Sequence, residues 1–203
     1  MVKASWMAVI GVAAALVALP AAAQSSMSGF YVGGGFGQSK AKDWCGGGGF
    51  DSCDDKDKAW KVFGGYQITR NIAAEIGYSR LGKFTASFTD PVFGLLTDEA
   101  KVTAWEASAL AAAPLIDRLW IFGRLGVYRG TVKETTNFAG DFSHDNTNFT
   151  FGLGLSYDIL PQLAVRAEWQ RYNQVGGGDV ALGAGVGEKS DVDVVGVSAL
   201  WRF

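Results

Sequence analysis

The chain has 203 residues, with 18 Lys and Arg against 20 Asp and Glu, a single histidine and a formal net charge of −2. That balance excludes a basic nucleic-acid-binding surface. A hydrophobic content of 48% without any low-complexity tract excludes a disordered chain and leaves one domain's worth of foldable sequence.

In chain order, the first element is Lys3 followed by an apolar run from Ala4 to Leu19, then Pro20 and Ala21 to Ala23 before Gln24. A cationic start, an apolar stretch and an A-x-A site predict a signal peptide over 1–23, cleaved after Ala23 and exporting the protein through the inner membrane. The run is shorter than the ~20 apolar residues of a spanning helix. The next richest apolar stretch, Ala104 to Ile116, is interrupted by Glu106, Ser108 and Pro114, so no later transmembrane helix is predicted.

Residues 24–203 then divide into eight segments with period-two alternation, the signature of strands with one apolar face. The first two are placed at about 28–38 and 58–68, separated by a long connection that holds Cys45 and Cys53 around the stretch GGGGFDS. An even pair of cysteines in an exported chain predicts a disulfide. Asp51, Asp54, Asp55 and Asp57 lie nearby, but the glycines between the cysteines supply no side-chain oxygens, and no metal site is predicted.

The third strand sets Ile72, Ala74, Ile76 and Tyr78 against Ala73, Glu75, Gly77 and Ser79. A long connection at 82–100 leads to strands at 101–113 and 118–129, joined by a short turn from Pro114 to Asp117. Another long connection, 130–146, contains Ser143, His144 and Asp145. Adjacent residues in a polar loop do not converge into a nucleophile–base array, so no catalytic residue is assigned.

The sixth strand has Phe149, Phe151, Leu153, Leu155 and Tyr157 on one face, with Thr150, Gly152, Gly154 and Ser156 on the other. Gly152 faces inward and is expected to tolerate serine. In the seventh strand, Leu163, Val165, Ala167 and Trp169 oppose Ala164, Arg166, Glu168 and Gln170. The last long connection, 174–190, ends in GAGVGEKS, which fails the phosphate-loop pattern because Glu188 separates Gly187 from Lys189. The eighth strand, 191–203, finishes on Trp201 and Phe203.

Long connections alternate with short ones at 69–71, 114–117 and 160–162, which is the layout of a membrane barrel with both termini at its short-turn end. Outward aromatics sort into two levels: Phe30, Tyr66, Tyr157, Trp201 and Phe203 near the turns, and Phe36, Trp60, Tyr78, Trp105, Phe149 and Trp169 near the long connections. The predicted fold is all-β, an eight-stranded antiparallel up-and-down transmembrane β-barrel in the outer membrane. Its narrow interior should receive Lys61, Glu75, Glu106, Arg124, Arg166 and Glu168, paired by height as Glu75 with Arg166, Arg124 with Glu168 and Lys61 with Glu106.

FGGYQI at 63–68, NIAAEIGYSRLG at 71–82, LPQLAVRAEWQRY at 160–172 and the terminal WRF resemble the OmpA-like eight-stranded barrels of Gram-negative outer membranes, over essentially all of 24–203. The resemblance implies that Trp201 and Phe203 end a strand read by the barrel insertion machinery, with periplasmic chaperones upstream, and that lipid and lipopolysaccharide surround the protein. It also implies that Glu75 and Arg166 form a lumenal gate pair. Leu110, Ser156 and Gly35 stand where the family carries a lysine, a glutamate and a lysine, so the partners of a switching gate are missing. No peptidoglycan-binding domain is expected after Phe203, and no cofactor. The expected function is non-enzymatic, contributing to membrane integrity with at most a narrow, low-conductance pore. The alternative is a surface adhesin or host-interaction protein whose extracellular loops hold an unknown ligand.

Overall fold

The computed structural model describes residues 29–42, 51–90, 94–136, 140–176 and 189–203. The predicted signal peptide at 1–23, Cys45 and residues 183–188 of the failed phosphate loop lie outside the described residues.

The strands are β1 (Gly29–Ala41), β2 (Ser52–Asp54), β3 (Lys56–Gln67), β4 (Ile72–Asp90), β5 (Gly94–Ile116), β6 (Leu119–Thr136), β7 (Gly140–Asp158), β8 (Leu163–Val175) and β9 (Ser190–Arg202). Apart from the three-residue β2, which pairs only with β4, each barrel strand pairs antiparallel with its chain neighbours. The ring closes where β1 meets β9, from Tyr31 opposite Arg202 to Ala41 opposite Val192. The result is a closed eight-stranded barrel without a free edge inside the wall, so the wall's backbone groups are paired strand to strand apart from local bulges.

Alternation decides which face meets what. Ile76, Trp105, Leu125 and Leu153 are 67%, 65%, 65% and 59% exposed, whereas their inward neighbours Glu75, Glu106 and Arg124 are buried. Apolar side chains outside and charges inside is the inverse of a water-soluble domain, and it suits a wall bathed in lipid. No helix among the described residues is long and apolar enough to cross a membrane; the strands do the crossing.

The long connections differ from the expectation. Residues 82–100 are mostly strand: β4 and β5 stay paired out to Asp90 opposite Gly94. Likewise 130–146 belongs to β6 and β7, paired out to Thr136 opposite Gly140. Past the lipid the outer face turns polar, with Lys83, Lys101 and Lys133 exposed, so the alternation inverts to polar outside and apolar inside while the ladder continues. The inner face keeps Phe84, Ala100, Val102 and Val132 buried, which holds the ribbons over the lumen. The Pro114 turn also shifts: β5 runs to Ile116 with a bulge between Pro114 and Ile116, and the turn tightens to Asp117 and Arg118, the latter at φ 67°. Proline has no amide to donate, so its place in a ladder is at such an irregularity.

A second bulge, between Arg80 and Gly82, redirects β4 where it leaves the membrane. Gly82 sits at φ 118°, and a Cβ there would lie 2.8 Å from Asp57 Cβ and 2.9 Å from Ser39 Oγ. Lys83 N donates to Asp57 Oδ2 at 2.6 Å, which locks the kink to β3. Gly82→Val is therefore expected to cost about 1–3 kcal/mol and to release the Lys83 amide to hydrogen exchange. A Lys83 amide that stays as protected as in wild type would show that the bulge does not need glycine.

Candidate functional site: the lumenal ionic layer

Six charged residues reach the interior from different strands: Lys61 from β3, Glu75 from β4, Glu106 from β5, Arg124 from β6, and Arg166 and Glu168 from β8. An eight-stranded barrel has barely enough lumen for side chains. The ladder makes room by placing a glycine beside most of these charges. Lys61 is opposite Gly35, Glu75 opposite Gly65, Glu106 opposite Gly77, Arg124 opposite Gly152 and Glu168 opposite Gly154. At Gly65 a Cβ would sit 2.3 Å from the Tyr31 ring, so a side chain there would have to displace that ring.

Arg124 is the hub. Its side chain has no exposed surface; Nε donates to Glu168 Oε1 at 2.5 Å, Nη2 to Glu75 Oε2 at 2.6 Å, and Nη1 reaches Glu106 Oε1 at 3.5 Å. Three carboxylates around one guanidinium would leave an excess of negative charge, which Arg166 and Lys61 offset. Arg166 Nη1 donates to Glu75 Oε1, and Lys61 Nζ to Glu168 Oε2 at 2.5 Å. The Arg166 guanidinium also lies 5.3 Å from the Tyr31 ring centre, 5.7 Å from Phe63 and 5.3 Å from Phe122, within reach of a cation–π attraction.

The expected pairing of Lys61 with Glu106 does not form. Lys61 is instead spent on Glu168, and Glu106 accepts from Gln170 Nε2 at 2.8 Å and from the Tyr172 hydroxyl at 2.7 Å. Nor is Glu75–Arg166 an isolated pair, because Glu75 also holds Arg124 and accepts the Tyr31 hydroxyl at 2.7 Å. The sequence places Gln170 on the inward face but assigns no network role to it, to Tyr31 or to Tyr172. Each occupies an inward position of its strand, and Gln170 and Tyr172 continue the register of Arg166 and Glu168; that periodicity was the available signal.

Apolar layers bracket the charges. Toward the short turns stand Phe63, Ala73, Leu110, Phe122, Ala164 and Leu200, and a vestibule of ≈500 Å³ lined by Gln67, Trp120 and Asp158 runs past Leu110 and Phe122 to Arg166 of the ionic layer. Toward the ribbons stand Leu81, Phe84, Val102, Tyr128, Val132 and Val192.

At the turn end, Phe203 N donates to Phe30 O at 3.0 Å, and Arg202 Nη1 meets Asp158 Oδ1 at 2.8 Å. Trp201 and Phe203 point outward, Phe203 with 78% of its surface exposed. Cys53 lies in β2, opposite Ala86 of β4. Ser143, His144 and Asp145 are consecutive residues of β7 rather than a loop, and Asp145 binds Arg129 and Thr131. Among the described residues no group of His, Cys, Asp or Glu could hold a metal ion.

A family model, the OmpA-like transmembrane domain, matches residues 25–203. Outer membrane protein A of Escherichia fergusonii is 29% identical over 148 residues, covering 70% of this chain and 39% of that protein. Outer membrane protein P5 of Haemophilus influenzae is 30% identical over 127 residues, covering 57% and 34%. The matched region thus spans less than half the length of these relatives. Among solved structures, Neisserial surface protein A superposes with a TM-score of 0.58 at 16% identity, covering 88% of this chain and all of that one. The attachment invasion locus protein of Yersinia pestis, bound to a heparin analogue, gives 0.53 at 17% identity, covering 88% and 100%. At such identities the structural likeness is one of fold.

Proposed function

The chain belongs to the family of OmpA-like transmembrane domains, and from that premise we propose that it is a non-enzymatic outer-membrane barrel that stabilises the membrane and whose lumen is closed to solutes. The observation that carries this reading is the stacking of an ionic layer between two apolar layers. An ion entering from the turn-side vestibule, which reaches Arg166, would have to break bonds to Arg124 and then shed water at the apolar layer toward the ribbons. In its assembly, the outward Trp201 of β9 and Phe203 just after it offer the insertion machinery an apolar face before β9 pairs with β1 and the barrel closes. Periplasmic chaperones keep that face covered in transit.

The ribbons favour a second reading, contact with another surface, because β4–β5 and β6–β7 stand beyond the membrane as paired sheet rather than loose loop. A bacterial strain lacking the protein separates the two. Resistance to detergent should be restored equally by the full chain and by a form trimmed at 86–97 and 135–142. Restoration that requires the ribbons would contradict the membrane-stabilising reading, and loss of cell adherence with the ribbons would favour the other.

We also propose a Cys45–Cys53 disulfide in the first long connection; Cys53 lies in β2, which pairs with Thr85–Ser87 of β4. Non-reducing mass spectrometry of outer-membrane material should find the two linked; alkylatable thiols in the mature protein would remove the bridge from this account.

A further inference from the structure

The outer face just beyond the upper aromatic girdle is not uniform around the barrel. Over β1, β3, β4 and β5 the girdle is one continuous row. Phe36 stands opposite Trp60, the Trp60 and Tyr78 rings lie 5.8 Å apart, and those of Tyr78 and Trp105 lie 5.0 Å apart. Lys58 stands two residues from Trp60 on the same face, ~7 Å along the strand at ~3.3 Å per residue. Arg80 is directly opposite Trp60 across the β3–β4 ladder. Both side chains are exposed.

Most other cations at this level are occupied. Lys83 and Lys101 share Glu99, at 2.7 and 3.1 Å, and the Lys83 hydrogen bond, then that of Lys101, holds this carboxyl below the usual range, so it stays ionised and engaged. Arg129 pairs with Asp145 at 3.1 Å. On the far side of the barrel, Arg171 is clasped by Asp193 at 2.6 and 2.9 Å. Lys58 and Arg80 have no acidic partner among the described residues. Two cations on a rigid sheet repel each other, and the arrangement is relieved by an anion between them. The anion must sit where Trp60 marks the boundary between hydrocarbon and headgroups.

We propose that Lys58 and Arg80, flanked by Gln38 and Thr103 in the ladder, bind the phosphate of a phosphorylated glycolipid headgroup in the outer leaflet, with its acyl chains against the Trp60–Tyr78–Trp105 row. This is chemistry that lipopolysaccharide carries, and the site makes one sector of the barrel lipid-selective. It depends on the outer-membrane placement and holds whether the lumen is closed or conducts. Guanidinium and ammonium heads suit phosphate oxygens, and Gln38 and Thr103 add uncharged donors beside them.

The test uses the full mature chain in phosphatidylcholine nanodiscs, titrated with diphosphoryl lipid A or with lipid A stripped of its phosphates, and bound lipid is counted by native mass spectrometry. Wild type should retain the diphosphoryl form. Lys58→Gln with Arg80→Gln should weaken retention about thirtyfold, given the usual gain per basic residue at an anionic membrane surface, taken twice. Arg70→Gln, which removes one positive charge at the turn end, should bind as wild type does. Unfolding midpoints within the wild-type range for all forms confirm that the barrel is intact. The proposal is overturned if the stripped lipid binds equally well, if Arg70→Gln loses as much, or if the double variant loses nothing.

Discussion

Arg124→Ala is expected to be the most damaging single substitution in the barrel, at about 3–5 kcal/mol, the usual cost of leaving a buried charge without its partner. Three carboxylates depend on this guanidinium, and they lose it unequally. Glu168 keeps Lys61 and Glu75 keeps Arg166, but Glu106 retains only the neutral donors Gln170 and Tyr172. Arg124→Lys should recover little, since a single ammonium cannot span the fork from Glu75 to Glu168. Adding Glu75→Ala to Arg124→Ala should cost less than the sum of the two single losses, because one of the stranded charges is then gone. Equilibrium unfolding in lipid vesicles reads all four values. Strict additivity would mean that the two side chains do not interact. Arg166→Ala should cost less than Arg124→Ala, because Glu75 still holds Arg124 and the Tyr31 hydroxyl.

On the outer wall, Leu153→Arg and Ala109→Arg should each destabilise the lipid-folded barrel by about 2–4 kcal/mol, the cost of arginine near the bilayer midplane. Both side chains are exposed to lipid between the two aromatic levels. Gly152, on the opposite face of the same strand, is not the neutral comparison its inward position suggests. A Cβ there would lie 2.6 Å from the Trp169 carbonyl oxygen, so Gly152→Ser forces the β7–β8 ladder apart. Ser108→Ala serves instead: it faces the lumen, and its hydroxyl has no hydrogen-bond partner among the described residues. Refolding titrations should separate the arginine variants from Ser108→Ala. Equal midpoints for the two classes would mean that the wall is not embedded as described.

The contrast between those residues shows what period-two alternation conveys. Inward and outward faces follow from the pleat alone, so Leu153, Ala109 and all six lumenal charges are assigned from sequence without knowing any partner. Partners are another matter. In a barrel the strands tilt and stagger, and long side chains reach across the lumen rather than to the ladder neighbour. Lys61 therefore meets Glu168, 107 residues away, instead of Glu106. Tyr31, Gln170 and Tyr172 have no formal charge and drew no attention as network members, although they share the inward register. The ribbons were illegible for a different reason. Beyond the lipid, Lys83, Lys101 and Lys133 replace apolar outward residues while Phe84, Val102 and Val132 turn inward, so the apolar outer face that marks a membrane strand ends there although backbone pairing carries the sheet on to Asp90 and Thr136.

Ion conductance across a planar bilayer holding the refolded mature protein tests most directly the claim that the lumen is closed. With the ionic layer bound to Arg124 and apolar side chains above and below it, wild type should pass no steady current at either polarity. Arg166→Ala should stay equally silent, because Glu75 remains on Arg124 and both apolar layers persist. A steady, protein-dependent current through wild type would contradict the account and leave a conducting pore in its place.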